Sequence, residues 1–251
     1  MSGHSHWAGI KHKKALVDAK RGKLWSKLSK AIIIAAKLGG ADPDNNIRLR
    51  AAIDEARALS MPKDNILRAI KRGSGGADGV DYDEVIYEGY GAGGVAILAE
   101  GLTDNRNRTA PEIKKIFEVA GGKLGTSGCV SWNFEKKGVF LIPKTAIQEE
   151  ALLELVLEAS ADDVSDGVDN YEVTCSPESY EAVAKALEAA KIEIESSSLG
   201  LVAKDTADIT DVETAQKVIK LMEALDDHDD IQHVSSNFNI TDEVMEQLEE
   251  S

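Results

Sequence analysis

The chain has 251 residues, of which 43% are hydrophobic and 29% are charged, and its formal net charge is −15. This composition excludes an intrinsically disordered chain and is sufficient for two or three domains with their own cores. The longest apolar run, at residues 31–36, is too short to cross a bilayer, and no secretory signal pattern is visible, so we expect a cytoplasmic protein.

The first segment is rich in helix signals and poor in strand signals. One helix is predicted to end at Leu38, before two glycines. Asp42 has the position of an N-cap for a second helix, and a third is predicted at 62–71. The stretch GSGGADG at 73–79 has the composition of a flexible linker. We therefore predict a three-helix domain over residues 1–79.

Charge separates this helical segment from the rest of the chain. Residues 1–75 contain 16 Lys and Arg against 6 Asp and Glu, a net charge of +10. The remaining residues contain 13 basic and 38 acidic side chains, a net charge of −25. Such a sign asymmetry indicates that one part of the chain meets a polyanion while the other part keeps the protein soluble.

After the linker, strands and helices alternate. Strands are predicted at 84–90, 95–102 and 129–135, where Val130, Trp132 and Phe134 alternate on one face. Between the last two strands, Thr109 and Glu112 form a capping box that opens a helix. A further helix and strand follow much later in the chain. We predict one α/β domain made of residues 80–137 and 206–240, with a C-terminal helix to residue 251.

The intervening residues, 138–205, contain a complete set of elements of their own. Their predicted order is β-α-β-β-α-β, which is the ferredoxin-like arrangement. The fold class is therefore α+β: an N-terminal three-helix domain and two α/β ferredoxin-like domains, the third inserted in the second.

Three stretches suggest a small-molecule or metal site but do not meet its requirements. GYGAGG at 89–94 lies between two predicted strands, whereas a dinucleotide fingerprint opens a helix. His4, His6 and His12 have no neighbouring Cys or carboxylate to complete a metal site. LDDHDD at 225–230 lacks the spacing of a calcium loop, and we interpret it as a solvated acidic loop. We predict no metal, no cofactor and no catalytic residue.

Nucleic-acid contact is the function that the charge pattern favours. The basic stretch interleaves cations with aromatic and imidazole side chains, which can stack on or position a nucleic acid. The sequence DNRNRT at 104–109 is a second candidate patch, because Arg forks and Asn amides suit phosphates. Ion pairing of these arginines with nearby acids is an equally good interpretation. The candidate residues are Trp7, Lys11, His12, Lys13, Lys14, Lys20, Arg21, Lys23, Lys27, Arg106 and Arg108.

This chain resembles the YebC/PmpR family in five motifs, which occur in the same order as in the family. They are MSGHSHWAGIKHKKALVDAKRGKLWSKL, MPKDNILRAIKRG, YEGYGAGGVAI, LTDNRNRT and GGKLGTSGCVSWNFEKKG. The family also includes the mitochondrial translational activator of cytochrome c oxidase subunit I. The resemblance implies a helical N-terminal domain, two α/β domains with one inserted in the other, and a non-enzymatic role in gene expression.

The resemblance implies a probable transcriptional regulator that binds DNA. Ribosome-associated action in translation, through contact with ribosomal RNA, is an alternative, because both polyanions select positive charge. An enzyme with a site in the cleft between the α/β domains is a further alternative. The acidic domains also offer a surface to a protein partner.

Overall fold

The computed structural model describes residues 18–75, 81–167 and 169–249. In these ranges three helices come first: α1 (Asp18–Gly39), α2 (Ile47–Ala58) and α3 (Lys63–Gly73). Helix α1 is continuous through Gly22. Apolar side chains from all three helices form one core, because each helix repeats such residues on one face. The predicted three-helix unit is confirmed. Its core includes Leu28, Ile32, Leu49, Ile53 and Ile66.

Helix α2 begins later than the sequence suggested. Its N-cap is Asn46, whose side-chain oxygen accepts from the N–H of Leu49 at 3.0 Å, and not Asp42. The Asn46 amide also donates to the carbonyl oxygens of Ala35 and Gly40 at the end of α1. Asn46 therefore satisfies backbone groups of two helices at once, whereas Asp42 closes a turn between them.

The remaining elements alternate between strands and helices. In chain order they are β1 (Asp83–Tyr90), β2 (Ala96–Thr103), α4 (Arg106–Val119), β3 (Lys123–Leu124), β4 (Phe134–Pro143), α5 (Glu149–Glu158), β5 (Ala161–Asp166), β6 (Asn170–Cys175), α6 (Tyr180–Ala189), β7 (Ser196–Ala203), β8 (Ala207–Ile209), α7 (Val212–Asp226), β9 (Ile231–Ser236), β10 (Phe238–Ile240) and α8 (Asp242–Glu249).

Strands from distant parts of the chain build the first sheet, in the order β3-β1-β2-β9. All of its pairings are antiparallel. Strand β2 is buried on both faces. Ile97 and Ala99 pack against α4 and α7, whereas Ala96 and Leu98 pack against Val130 and its neighbours. This double burial explains why β2 is almost entirely apolar.

The loop after β3 differs from the strand predicted at 129–135. Residues 131–133 form a 3-10 turn, and β4 begins at Phe134. The carboxylate of Glu88 accepts from the N–H groups of Gly128, Val130 and Ser131, so these donors are not available to a strand ladder. As a result Trp132, predicted on the same face as Val130, is 64% exposed.

The second sheet has the order β5-β6-β4-β7 and is also antiparallel throughout. Helices α5 and α6 cover one face through a core that includes Phe140, Ile142, Val173, Leu152 and Leu187. The chain leaves the first sheet after β3, builds the second sheet, and returns to complete the first sheet with β9. Strands β8 and β10 form a short parallel pair. The α+β class, with a helical unit followed by units containing two antiparallel sheets, is confirmed.

Candidate nucleic-acid interface

A stripe of lysines on α1 faces an acidic loop of the first α/β unit. The loop comprises residues 226–230, and the stripe comprises Lys23, Lys27 and Lys30, spaced so that they share one helix face. Lys27 is only 8% exposed and donates to the carbonyl oxygen of Asp226. Lys30 donates to the Asp229 carbonyl at 3.1 Å, and Lys23 lies 3.4 Å from the Asp229 carboxylate. The loop is therefore a docking surface for α1 and not the solvated turn that we predicted.

Asp230 is the centre of this contact. Its side chain is 4% exposed, and its two oxygens accept hydrogen bonds from Lys30 at 2.7 Å, Arg108 at 2.6 Å, Thr109 at 2.7 Å and Thr103 at 3.1 Å. Burial alone would raise the pKa of Asp230, but the hydrogen bonds from Lys30, Thr109 and Arg108 outweigh it and hold that pKa well below its usual range. A buried carboxylate thus connects α1 to β2 and α4.

The start of α4 explains why Thr109 reaches Asp230. Its N-cap is Asn105, which accepts from the N–H of Arg108 at 3.1 Å, so the capping box predicted at Thr109 is wrong. Thr109 instead lies inside the helix, fully buried, with its hydroxyl directed at Asp230. The sequence pattern was misleading because Asn105 can cap a helix as well as Thr109 can.

The second candidate patch consists of arginines that are already paired with acids. Arg106 donates to the Asp83 carboxylate at 2.9 Å and to the Glu84 carbonyl at 3.2 Å. Arg108 donates to Asp104 at 2.9 Å as well as to Asp230. Of the two interpretations that the sequence left open, the structure displays the ion pairs. Both side chains remain about half exposed, at 60% and 45%.

The other residues that the sequence predicted to contact nucleic acid are of three kinds. Lys20 and Arg21 belong to the first turn of α1, and their side chains lie outside what the structure describes. Lys23 and Lys27 face the acidic loop, so contact with a phosphate would require Lys23 to give up the Asp229 carboxylate and Lys27 to give up the Asp226 carbonyl. The remaining predicted residues lie outside the described residues: Trp7, Lys11, His12, Lys13 and Lys14.

Helix α3 carries cations that our sequence analysis did not select. Lys63, Arg68, Lys71 and Arg72 are all exposed. Within the described ranges, no carboxylate oxygen lies within 4 Å of their side-chain nitrogens. The signal was present in the sequence, because residues 63–73 contain four cations and only one acid, Asp64. The longer basic stretch at the N-terminus has the larger charge and therefore dominates the charge pattern of the sequence.

The other cations of the helical unit contrast with those of α3. Over residues 22–75, each of them is bonded to a carboxylate or to a backbone carbonyl. The pairs beyond the α1 stripe are Lys37 with Asp81, Arg48 with Glu84, Arg50 with Glu181, and Arg57 with Asp54.

A cavity of about 1020 Å³ lies between the helical unit and the first α/β unit. Its lining includes Lys23, Lys30, Arg108, Asp229 and Asp230, which pair with one another as described. Among the described residues, no group of His, Cys, Asp and Glu side chains is arranged to hold a metal ion. No helix in the described ranges has the length and apolarity needed to span a membrane.

A helical unit with surface cations, joined to two acidic α/β units, defines a class of three-part α+β proteins, and comparison with known proteins identifies the family. Residues 5–76 match the model of the TACO1/YebC protein N-terminal domain, and residues 82–238 match that of the TACO1/YebC second and third domain. The chain belongs to the TACO1/YebC family, as its sequence motifs indicated.

Full-length relatives and a solved structure agree with this assignment. A protein from Rhodopirellula baltica is 55% identical over 97% of this chain and 98% of its own length, and one from Elusimicrobium minutum is 50% identical over 99% of each chain. Both carry the name "probable transcriptional regulatory protein". The crystal structure of a conserved hypothetical protein from Aquifex aeolicus has a TM-score of 0.85 and 49% identity, covering 96% of this chain and 99% of that chain.

Proposed function

We propose that this protein is a transcriptional regulator that binds DNA through its basic helical unit. The observation that carries the proposal is the separation of charge, +10 over residues 1–75 against −25 over the remainder. A polyanion attracts the first part and repels the second, so the acidic body orients the helical unit and limits the contact area. The names of the full-length relatives support the same function.

At the level of residues, we propose that the N-terminal arm contacts phosphates through Lys11, Lys13, Lys14, Lys20 and Arg21. Such contacts are independent of sequence and release counterions, so they make the affinity fall steeply with salt. Trp7 and His12 stack on or position the nucleic acid. Lys23, Lys27, Arg106 and Arg108 form a secondary set, since each already has a partner within the protein.

The proposal assigns no catalytic step to the protein and places it in the cytoplasm. The charged side chains that line the cavity of about 1020 Å³ and are named above serve one another as partners, as expected of a structural contact. The enzyme alternative requires instead a nucleophile, acid or base directed at an empty space.

We also infer that both α/β units are ferredoxin-like and that the second is inserted in the first. The order β7-β4-β6-β5, with α5 and α6 as crossovers, supports this for the second unit. In the first unit the strands lie in the corresponding order, β9-β2-β1-β3. The difference is that β1 precedes β2 in the chain, whereas the equivalent strand of the second unit, β6, follows β4 and β5.

The test compares binding of a promoter-type DNA duplex and of purified ribosomes at near-physiological salt. We expect the triple variant Lys11→Gln, Lys13→Gln, Lys14→Gln to bind the duplex about tenfold more weakly or worse, with a smaller salt dependence. A matched control, Lys114→Gln, Lys185→Gln, Lys217→Gln, removes the same charge from exposed pairs on the acidic units. It should bind like the wild type.

Three results would change the proposal. If neither the duplex nor ribosomes bind the wild-type protein, nucleic-acid binding is wrong. If ribosomes bind tightly while the duplex binds weakly and dissociates on modest addition of salt, the protein acts in translation and the polyanion is ribosomal RNA. Equal losses in the arm and control variants would show that only net charge matters.

A further inference from the structure

The exposed cations of the helical unit fall into two groups that the sequence does not distinguish. From residue 22 onward, those on α1 and α2 are bonded to carboxylates or carbonyls, as shown above. Those on α3 have no such partner among the described residues, and all four are exposed. An unpaired cation keeps its full attraction for an external anion, whereas a paired cation must first give up an internal bond.

We propose that the outward face of α3 is a phosphate-contacting surface for duplex DNA. It consists of Lys63, Arg68, Lys71 and Arg72, and it will be called the α3 face. This inference rests on the proposed function, and it names the surface through which the described part of the helical unit performs that function.

The geometry of the helix places the four cations on one side. At 100° per residue they spread over about half of the circumference, opposite the buried Ile66 and Ala69. From Lys63 to Arg72 the helix advances about 14 Å at 1.5 Å per residue. A face of this length can reach more than one phosphate of a duplex backbone.

The needs of the helix itself do not account for this pattern. Lys71 and Arg72 lie in the last turn, where a cation is favoured by the helix dipole. Lys63 lies at the first residue of α3, where the same dipole disfavours a cation. Arg68 lies between them, on the exposed surface. A cationic face that extends over the whole helix is therefore better explained by an external anion.

Leu67 adds an apolar element to the α3 face. It is 52% exposed and lies on the same half of the helix as the cations. Protein surfaces that grip a nucleic-acid backbone contact sugars as well as phosphates, and an aliphatic side chain suits the sugar. Asp64 is the only acid on the helix, so the face keeps a net positive charge.

The experiment compares two triple variants of equal charge. The first, Arg68→Gln, Lys71→Gln, Arg72→Gln, removes cations that have no acidic partner in the part of the chain that the structure describes. The second, Lys37→Gln, Arg48→Gln, Arg57→Gln, removes exposed cations that are paired with acids. Both lower the formal net charge from −15 to −18, because three cations are removed in each. Affinities for a fluorescent duplex and for purified ribosomes are measured over a series of salt concentrations, and thermal melting checks the fold of each variant.

We expect the α3 variant to bind the duplex about tenfold more weakly or worse, with a salt slope reduced by about 0.9 for each phosphate that the variant no longer neutralises. The paired-cation variant should stay within about threefold of the wild type, the effect of net charge alone. Lys63→Gln, added to the α3 variant, should reduce affinity and slope further.

The outcomes separate this inference from the proposed function. If the arm variant loses binding while the α3 and paired-cation variants behave alike, the DNA-binding function stands and the α3 face is refuted. If the α3 variant loses binding to ribosomes but not to the duplex, the duplex assignment is overturned and the surface grips RNA. If the wild type binds neither polyanion, the function itself fails.

Discussion

Helices α1 and α3 belong to the same small unit and share one core, yet their positive charges have different environments. Helix α1 directs Lys23, Lys27 and Lys30 at the acidic loop of the first α/β unit. The four cations of α3 face outward with no acidic partner in the described ranges. The formal charge of a domain therefore overstates the charge that it can offer to a ligand. Of the +10 over residues 1–75, part holds the protein together.

The largest expected effect follows from removing the centre of the α1 contact. Asp230→Ala removes the acceptor that Lys30, Arg108 and two buried hydroxyls share, so Lys30 keeps only the Asp229 carbonyl and Arg108 only Asp104. We therefore expect the free energy of unfolding to fall by about 3–5 kcal/mol. Urea denaturation measures it. Asp229→Ala is the control, because Asp229 is 76% exposed and its ion pair with Lys23 should contribute no more than about 1 kcal/mol. Equal losses in the two variants would mean that Asp230 is not the anchor of α1.

The same carboxylate should give the contact a pH dependence. The folded-state pKa of Asp230 is lowered, so its stabilising contribution is complete above the unfolded-state pKa of about 3.9 and is lost as the pH falls further. Wild-type stability should therefore decline more steeply on acidification below about pH 4 than that of Asp230→Asn, whose side chain does not titrate. Urea midpoints measured over this range provide the comparison. Parallel curves would contradict a low pKa at this site.

The sequence predicted the elements of both regions but not the contact between them. Periodicity and capping identified three helices and the alternating strands, because those signals are local. The pairing of Lys30 with Asp230 joins residues 200 positions apart, so no local pattern indicates it. LDDHDD therefore looked like a solvated loop, whereas its last residue is buried among side chains from three elements.

The candidate nucleic-acid interface shows the same limit of sequence-based prediction. The excess of cations in residues 1–75 is visible in the sequence, but which of them are paired is decided by the fold. Arg48 and Arg68 look equivalent as exposed helix cations, and only the structure shows that Arg48 meets Glu84 while Arg68 meets no acid in the described ranges. The alternation at 129–135 failed for a related reason, since Glu88, some 40 residues away, binds that loop.

The smallest expected effect concerns the stability of the α3 face. Arg68→Gln, Lys71→Gln, Arg72→Gln breaks no ion pair of the described structure, so the free energy of unfolding should fall by no more than about 1 kcal/mol, because Lys71 and Arg72 no longer interact with the helix dipole. By contrast Ile66→Ala, on the buried side of the same helix, should cost about 2–5 kcal/mol.

Urea denaturation of the two α3 variants decides how a binding defect must be interpreted. If the cation variant is nearly as stable as the wild type, any loss of DNA affinity comes from the removed charges themselves. If it is destabilised as much as Ile66→Ala, the α3 cations contribute to the fold, and the difference between α1 and α3 is smaller than their ion pairs indicate. The comparison of the two helices thus depends on a stability measurement as much as on a binding measurement.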